Sequence, residues 1–436
     1  MAFRDAASIF KSLRNGTVPL RGLEAFAVGI DGPRKELARK LAEVQAGEGD
    51  VKFLRGGYGC GKTFMARLLV AEAQQQGFVT SFVVVSDNDF HLHKFDDLYR
   101  KVVGGLSTPR CEQGALGDLL DRWIGRVEDA LMKTGTPESD PAFDEKVMAK
   151  LDEQLASAGG NVPDDMKRVV RCIFELKQAG QLQDASTLIS WLAGSENIAA
   201  SAKRLAQLKG EIESTSALAY LRGVLEIVRS AGYKGLVIVI DEAETMLRSR
   251  SDVRASSLNA IRQIVDKAAE LPGLLWVITG TPTFFDDRRG VRGVEALHDR
   301  VKYEEINGVP SLRQPQLALK PFDRERLIKV ALKLRSIHPD LSEEEAERRL
   351  PRALVEQLVD QVTAGFRGAV GVVPRQFLRR YVDVLDLLAD DPDLDAHTLL
   401  GFTPKQLTAE EEAVLAGRDL DEPPPEGGFG GAAVDL

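Results

Sequence analysis

Cysteine is scarce in this sequence, since its 436 residues include only Cys60, Cys111 and Cys172. So few and so scattered thiols exclude a disulfide framework and a zinc–cysteine cluster, and they favour a reducing cytoplasm. Long apolar runs are also missing, and the run around Gly235–Ile240 is far too short to span a bilayer. Met1–Asn15 carries charges throughout and lacks the apolar stretch of a secretory signal. We therefore expect a cytoplasmic protein with no membrane partner.

An excess of positive charge is absent as well. The chain has 57 Lys+Arg against 66 Asp+Glu, a formal net charge of −9. This balance argues against a surface coated in basic residues for nucleic acid, although it leaves room for a local basic strip. Hydrophobic residues make up 44% of the chain, which is enough to fill a sizeable core.

Strand-length and helix-length patterns alternate along much of the chain. Short β-branched and apolar segments predict strands at Val51–Leu54, Phe78–Val85, Leu236–Ile240 and Leu274–Ile278. Helical spacing of apolar residues predicts helices at Lys62–Gln76 and Asp252–Leu271. Strands that alternate with helices pair in parallel through right-handed crossovers. The pattern therefore predicts an α/β fold, with a parallel sheet sandwiched by helices.

Composition divides the chain into four expected parts. Residues 1–50 form an N-terminal helical segment, and residues 51–320 form the sheet core with a helical insertion at about 95–229. Residues 321–417 form a helical domain, and the acidic, Gly- and Pro-rich residues 418–436 are expected to be disordered. The helices of the C-terminal domain are predicted at Arg324–Ile337, Ser342–Val362 and Arg375–Leu388.

A glycine-rich loop lies between the first predicted strand and the helix that follows it. Gly56-Gly57-Tyr58-Gly59-Cys60-Gly61-Lys62-Thr63 fits the pattern G-x-x-x-x-G-K-[ST] in full. Its glycines allow backbone N–H groups to turn toward a phosphate at the helix N-terminus. We expect Lys62 to bridge the β- and γ-phosphates of ATP and the Thr63 hydroxyl to hold Mg²⁺. Phe64 completes the predicted nucleotide-binding segment, and Cys60 is interpreted as a small filler rather than a redox sensor.

Two carboxylates follow the most apolar predicted strand. Asp241 is expected to hold Mg²⁺ through its water shell, and Glu242 is expected to polarise the attacking water as general base. Strand ends are often acidic for solubility, so this pair gains weight only beside the glycine-rich loop. The adjacent glutamate argues against a metabolic kinase, and the guanine-reading Asn-Lys-x-Asp of a GTPase is not found.

Hydroxyl side chains end the next predicted strand. Thr279 is the first candidate to orient the lytic water, and Thr281 is the second. The alternative is that each is a β-branched residue that simply completes the strand.

The order of these motifs resembles that of the AAA+ ATPases, nearest their origin-recognition and Cdc6-like branch. The resemblance covers Phe26 to about Leu388 and implies a P-loop core with a C-terminal helical lid. Four further segments resemble, in order, that branch's adenine cover, arginine-finger segment, last sheet strand and sensor-two motif: Val28-Gly29-Ile30-Asp31, Asp299-Arg300-Val301, Gln316–Phe322 and Gly371-Val372-Val373-Pro374-Arg375.

The same resemblance implies roles for individual residues. Val28 and Gly29 would cover the adenine, and Arg375 would reach the γ-phosphate. Arg300 would act as an arginine finger in a neighbouring subunit, which implies a homo-oligomer in the ATP-bound state. The alternatives are that Arg300 lies on a solvated face beside Arg292, and that Arg375 forms a salt bridge near the start of a helix.

Two segments resemble the ATP-binding proteins of bacterial BREX phage-defence loci, specifically BREX protein D. They are Phe10–Pro19 and Lys52–Phe64. This resemblance implies the same helical insertion and a partner among the defence proteins, such as a helicase. It also implies action on or near DNA.

Two further groups of residues receive a structural interpretation. Asp87, Asp89, His91 and His93 are interpreted as polar loop residues rather than as a metal site. C-terminal arginines form either a DNA-facing strip or ion pairs with Glu343–Glu347: Arg348, Arg349, Arg352, Arg367, Arg379 and Arg380. No helix-turn-helix pattern is found.

The first functional hypothesis is an AAA+ ATPase that uses ATP hydrolysis to remodel or load DNA or a DNA-acting partner. The second is a slow-turnover switch or scaffold, in which ATP occupancy recruits a helicase or nuclease. A helicase acting alone is a weaker third hypothesis, because no dedicated strand-separating element is evident.

Overall fold

A six-stranded sheet organises the chain, which a computed structural model describes over residues 3–86, 92–157, 162–365 and 373–401. The strands of the described chain are β1 (Asp50–Arg55), β2 (Val79–Val84), β3 (Leu106–Ser107), β4 (Leu236–Asp241), β5 (Leu274–Gly280), β6 (Glu305–Ile306), β7 (Val309–Pro310) and β8 (Gln316–Ala318). The sheet order is β3-β2-β4-β5-β1-β8, and β6 and β7 form a separate hairpin. Strands β2, β4, β5, β1 and β8 run parallel, so their carboxyl ends meet at one edge.

Helices fall into three groups along the chain. The first group precedes or follows β1: α1 (Phe3–Arg14), α2 (Asp31–Gln45) and α3 (Lys62–Gln75). The second lies between β2 and β4: α4 (Phe95–Gly104), α5 (Leu116–Lys133), α6 (Phe143–Ala156), α7 (Asp164–Gln178), α8 (Leu182–Leu192), α9 (Ala200–Leu205) and α10 (Ala217–Ser230). The third follows β4: α11 (Ser251–Lys267), α12 (Pro282–Asp286), α13 (Glu295–Arg300), α14 (Arg324–Ser336), α15 (Glu343–Arg349), α16 (Arg352–Gly365) and α17 (Val373–Asp390).

The central strands are buried on both faces. Every residue of β4 and β5 is buried. Along β4, Ile238 and Ile240 join the hydrophobic cluster that contains the inserted helices. Val237 and Val239 join the opposite cluster, with α3 and the C-terminal helices. Alternate residues of a strand point to opposite faces, so the continuous apolar run supplies both cores. The predicted α/β fold, with a parallel sheet between helices, is confirmed.

Two expectations about secondary structure are wrong. The region Ser342–Val362 is not one helix, because Pro351 separates α15 from α16. Proline disfavours the helical conformation of the preceding residue, and Leu350 accordingly leaves it, with φ −124° and ψ 69°. The insertion is not wholly helical either, since β3 pairs antiparallel with β2 and extends the sheet. The expected disordered tail, 418–436, lies outside the described residues.

The N-terminal segment joins the C-terminal helices to the sheet. Helix α1 packs against α17, and both oxygens of Asp386 accept hydrogen bonds from Arg14, at 2.8 and 2.9 Å. Farther along, the Lys333 ammonium on α14 donates to the Ala27 carbonyl at 2.7 Å. Helix α2 then packs against α3. Residues 27–29 are therefore held between the C-terminal helices and the helix that follows β1.

A lysine is fully buried in the middle of the sheet. Lys52 on β1 donates to Glu36 at 2.8 Å and to the carbonyls of Leu312 and Gln314 at 2.8 and 2.7 Å. Burial alone would raise the pKa of Glu36, but hydrogen bonds from Arg39 and Lys52 outweigh it and lower this pKa to about 2. All three ammonium protons have acceptors, so the ion pair ties α2, β1 and the segment before β8 together.

Replacing this lysine should destabilise the protein. Lys52→Met leaves Glu36 with Arg39 as its remaining partner and deprives the Leu312 and Gln314 carbonyls of their donor, so we expect the free energy of unfolding to fall by about 3 kcal/mol. Urea unfolding followed by circular dichroism measures the change. Lys150→Met is the matched control, because Lys150 forms an exposed ion pair with Glu153; it should cost less than about 1 kcal/mol. Equal losses in the two variants would contradict the structural role of Lys52.

Candidate functional site

The glycine-rich loop forms a cradle at the carboxyl edge of the sheet. It links β1 to α3, and Gly59 and Gly61 adopt left-handed φ values of 74° and 84°. Gly61 caps the N-terminus of α3, where unpaired backbone N–H groups and the helix dipole favour an anion. Cys60 is buried within the loop, and burial raises the pKa of its thiol, which favours the unreactive protonated form. These features fit a phosphate-binding loop with a filler cysteine.

A hydrogen-bonded network joins the Asp241 carboxylate and the Glu242 backbone to Thr279 on the neighbouring strand. The Thr279 hydroxyl donates to Asp241 Oδ1 at 2.6 Å, and it accepts the Glu242 backbone N–H at 3.0 Å. Asp241 and Thr279 are buried, whereas Glu242 is exposed. Glu242 also has a left-handed backbone, with φ 60° and ψ 41°, which is uncommon for a residue with a side chain. Thr279 therefore fixes the turn that carries both acids.

The donors at this edge fit Mg²⁺ bound together with a nucleotide. Mg²⁺ is usually held by one or two carboxylates, with phosphates and water completing its shell. Asp241 supplies a buried carboxylate at the end of β4, and Thr63 supplies a hydroxyl on the first turn of α3, which packs against β4. Within the described ranges, no cluster of three or more His, Cys, Asp or Glu residues could hold a metal ion alone. Asp241 and Thr63 would thus need phosphate oxygens to complete a site.

An acid that the sequence reasoning missed contacts Lys62. Glu244 Oε1 lies 3.2 Å from the Lys62 ammonium, and both side chains are largely buried, at 14% and 11% exposure. Burial raises the pKa of Glu244, and Lys62 opposes the rise. Its other oxygen, Oε2, is buried without a hydrogen-bond partner in the described structure. The acidic spacing in Asp241-Glu242-Ala243-Glu244 was the available signal.

Arg67 is a second residue that the sequence reasoning missed. It lies four residues after Thr63, on the same face of α3, and its guanidinium stacks over the Phe82 ring at 3.5 Å from the centroid. Burial lowers the pKa of Arg67, and the charge of Asp241 opposes this shift. An arginine remains charged in proteins. Arg67 therefore supplies positive charge near the buried Asp241 carboxylate.

A residue of the C-terminal helices reaches the glycine-rich loop. Arg375 on α17 donates to the Tyr58 hydroxyl at 2.8 Å, and its guanidinium lies 5.6 Å from the centre of the Tyr58 ring. This contact joins the loop to the C-terminal helices across the site. Arg375 thus contacts the glycine-rich loop, and its predicted reach to a γ-phosphate stays a prediction. Gly371 and Val372 of the same motif are outside the described residues.

Apolar side chains surround the segment expected to cover the adenine. Val28, Ile30, Phe64 and Phe322 are partly buried hydrophobic residues at the edge of one core. The Phe64 ring also packs edge-on against Phe26, with centroids 5.3 Å apart. These residues offer an apolar surface beside the phosphate cradle, as a purine base requires.

Gly29 lies close to the Arg326 guanidinium. The Arg326 guanidinium donates to the Gly29 carbonyl at 2.9 Å. Gly29 has φ 68°, and an added Cβ would lie 2.6 Å from Arg326 Nε. The left-handed backbone favours glycine at the position, whereas the Arg326 side chain could shift to admit a Cβ.

Arg300 does not lie with Lys62 in the same subunit. Arg300, at the end of α13, forms an ion pair with Asp266, which is one residue from the end of α11. Helix α11 begins after the carboxyl end of β4 and ends shortly before the amino end of β5. Asp266, near the end of α11, therefore lies toward the amino-end edge of the sheet, whereas the glycine-rich loop lies at the carboxyl-end edge. Arg300 is thus tied to α11 within the chain, and its role as an arginine finger stays a prediction.

The C-terminal arginines mostly make internal contacts. Arg349 donates to the carbonyls of Leu388, Asp391 and Leu394, and Arg380 donates to those of Leu399 and Gly401. Arg352 pairs with Glu356, and Arg349 also lies 3.7 Å from Glu345. Arg379 packs against Gly16, so these contacts favour the structural alternative over a DNA-facing strip. Arg367 is outside the described residues, as are Asp87, Asp89 and His91.

No helix among the described residues has both the length and the apolar character to cross a membrane.

A comparison with curated proteins finds no match. Two solved structures are similar over 86% of this chain, each at 12% identity. One is the ORC2 protein of Aeropyrum pernix in ADPNP–ADP complexes, with 67% of its chain covered and a TM-score of 0.38. The other is a Walker-type ATPase of Pyrococcus abyssi, with 71% covered and a TM-score of 0.31.

A protein family matches nearly the whole chain. Residues 2–404 match the family described as BREX system ATP-binding protein BrxC/D. This match includes the glycine-rich loop, the strand that ends in Asp241, and the helix that carries Arg375. It confirms the resemblance to BREX ATP-binding proteins: the chain belongs to the BrxC/D family of the BREX system.

Proposed function

We propose that this protein binds MgATP between its sheet and its C-terminal helices and hydrolyses the nucleotide in the service of BREX phage defence. The observation that carries the proposal is the network in which Thr279 joins Asp241 to the backbone of Glu242. This network lies at the same sheet edge as the Lys62 cradle. These two observations support phosphate binding, a magnesium ligand and a general base at one place.

The roles of the residues follow from where they lie. Gly59 and Gly61 open the loop so that its N–H groups face the phosphates, and Lys62 binds the terminal ones. Bound Mg²⁺ would neutralise charge on the phosphate oxygens during transfer. The exposed Glu242 side chain takes a proton from the attacking water, while Thr279 holds its backbone in place. Thr279 as a direct contact of that water, and Thr281 as its substitute, remain sequence-based predictions.

Contacts from the lid support a coupling between nucleotide and domain position. Arg375 binds the cradle through Tyr58, and Arg326 and Lys333 bind the backbone of residues 27–29. A nucleotide placed between these groups would alter both sets of contacts. We propose that this coupling transmits ATP hydrolysis to DNA or to a DNA-acting defence protein in the cytoplasm, with the protein assembled as a homo-oligomer.

A basic surface on two loops supports nucleic acid as the partner. We define the loop arginine face as Arg248, Arg250, Arg254, Arg288, Arg289 and Arg292. Arg254 and Arg289 both donate to the Leu247 carbonyl, which brings the loops after β4 and β5 together. Arg250, Arg288 and Arg292 are exposed. Leu247 lies on the helical turn Ala243–Arg248, which directly follows Glu242, so phosphates bound to this face would influence hydrolysis through that turn.

A second candidate function has one observation in its favour. The Lys62 ammonium contacts Glu244 and two loop carbonyls, so a nucleotide that binds Lys62 must displace at least one of these contacts. Slow release of these contacts would suit a switch that recruits a helicase or nuclease through ATP occupancy. Turnover distinguishes the two functions, because negligible hydrolysis with and without DNA would favour the switch.

Removing the general base should separate binding from hydrolysis. In Glu242→Gln we expect the rate of phosphate release to fall by about 100-fold or more, because general-base catalysis typically contributes that much. Affinity for a fluorescent ATP analogue should stay within about twofold, since Lys62 and the loop are intact. Glu295→Gln, at another exposed glutamate, is the control and should hydrolyse normally. Normal turnover in Glu242→Gln would refute the base assignment.

Mixing two inactive variants tests action across a subunit boundary. Arg300→Ala should lose about 1,000-fold in turnover if the arginine stabilises the transition state of a neighbour. Mixing it with Glu242→Gln should restore activity, because an intact pocket then meets an intact Arg300. Arg262→Ala is the matched control, since Arg262 also contacts Asp266. Lack of recovery over a range of protein concentrations would contradict the intersubunit role.

Salt dependence tests the loop arginine face. Fluorescence anisotropy with duplex DNA at several salt concentrations gives the slope of log K against log[salt]. We expect Arg288→Ala/Arg292→Ala to reduce this slope by about 2, because each lost phosphate contact removes about 0.9. Arg348→Ala/Arg352→Ala, on the exposed surface of the lid, is the control and should keep the slope. The opposite result would move the interface to the lid.

A further inference from the structure

The Lys62 ammonium is fully engaged by the protein itself. It donates to the carbonyls of Gly56 and Gly57 at 3.0 and 3.4 Å, and it lies 3.2 Å from Glu244 Oε1. An ammonium has three protons, and three acceptors surround this one. A terminal phosphate therefore cannot bind Lys62 unless at least one of these contacts is released.

Glu244 is the contact whose presence most opposes a phosphate. The two carbonyls belong to the cradle and carry no net charge, whereas Glu244 is an acid in a largely buried position. Its second oxygen has no hydrogen-bond partner in the part of the chain that the structure describes. A phosphate that reached Lys62 would lie close to this carboxylate, and like charges repel strongly where water is excluded.

Glu244 also differs from the two acids already assigned a role. The Asp241 carboxylate accepts a hydrogen bond from the Thr279 hydroxyl, and the Glu242 side chain is exposed at the turn. Glu244 follows on the helical turn Ala243–Arg248 and contacts the lysine of the cradle instead. No other role in the proposed reaction requires a carboxylate at that place.

We propose that Glu244 is a positioning residue that holds Lys62 and competes with the terminal phosphates of a nucleotide for it. The inference rests on the proposed ATP site. Competition of this kind penalises a nucleotide that arrives without magnesium, because the divalent cation offsets the repulsion between phosphate and carboxylate. Glu244 thereby makes the pocket selective for the magnesium complex of the nucleotide over the free anion.

Nucleotide affinity with and without magnesium tests the proposal. The probe is a fluorescent ATP analogue, titrated into the full chain in excess Mg²⁺ and again in excess EDTA. In Glu244→Gln the isosteric side chain keeps its size and loses its charge. We expect this variant to bind the free nucleotide about tenfold or more tighter than the wild type, with a smaller gain for the magnesium complex. A defect that merely damaged the fold would weaken binding in both conditions.

Three further variants make the outcomes distinguishable. Glu295→Gln removes an exposed carboxylate and should leave both affinities within about twofold, whereas Lys62→Ala should weaken both. Glu244→Asp keeps the charge but withdraws it from Lys62, so it should give an intermediate gain and serves if Glu244→Gln fails to fold. Equal affinity of Glu244→Gln and wild type, or weaker binding, would overturn the role of Glu244. Failure of the wild type to bind nucleotide in either condition would instead refute the proposed ATP site.

Discussion

The hydrogen bond from Thr279 to Asp241 is the interaction on which the candidate site depends. It places a buried carboxylate at the end of an otherwise apolar strand, where an unpaired charge would be costly. The same hydroxyl accepts the Glu242 N–H and so supports an uncommon left-handed backbone. Parallel pairing of β4 and β5 brings the two strand ends together. The Thr279 side chain therefore both stabilises the turn after β4 and positions the acids of the candidate site.

Much of the fold could be predicted because its signals are local. Continuous apolar strands, the glycine-rich loop and the acids after β4 follow from residue type and spacing alone. Pro351 was a signal for the division of Ser342–Val362 into two helices, but the helical spacing of apolar residues on both sides of it favoured a single helix. The pairing of Leu106–Ser107 with β2 had no such signal, because a two-residue strand has no periodicity of its own.

Predicting the site was less complete, because several of its contacts join distant segments. The assignments of Lys62, Asp241 and Glu242 rest on motifs, and the structure brings their elements to one sheet edge. Glu244 and Arg67 escaped notice, because an acid or arginine on a helical turn resembles any solvated residue. Only the contact of Glu244 with Lys62, and that of Arg67 with Phe82 and the charge of Asp241, reveal their places beside the candidate site.

The first helix of the chain has a mechanical consequence. Helix α1 is fastened to α17, the helix of Arg375, by the paired hydrogen bonds between Arg14 and Asp386. Because α1 also packs against α17, a movement of α17 would displace α1 as well. Residues 15–26, which connect α1 to residues 27–29, would then have to adapt to it. Helix α1 thus belongs to the same packed unit as α17, although the two are more than three hundred residues apart along the backbone.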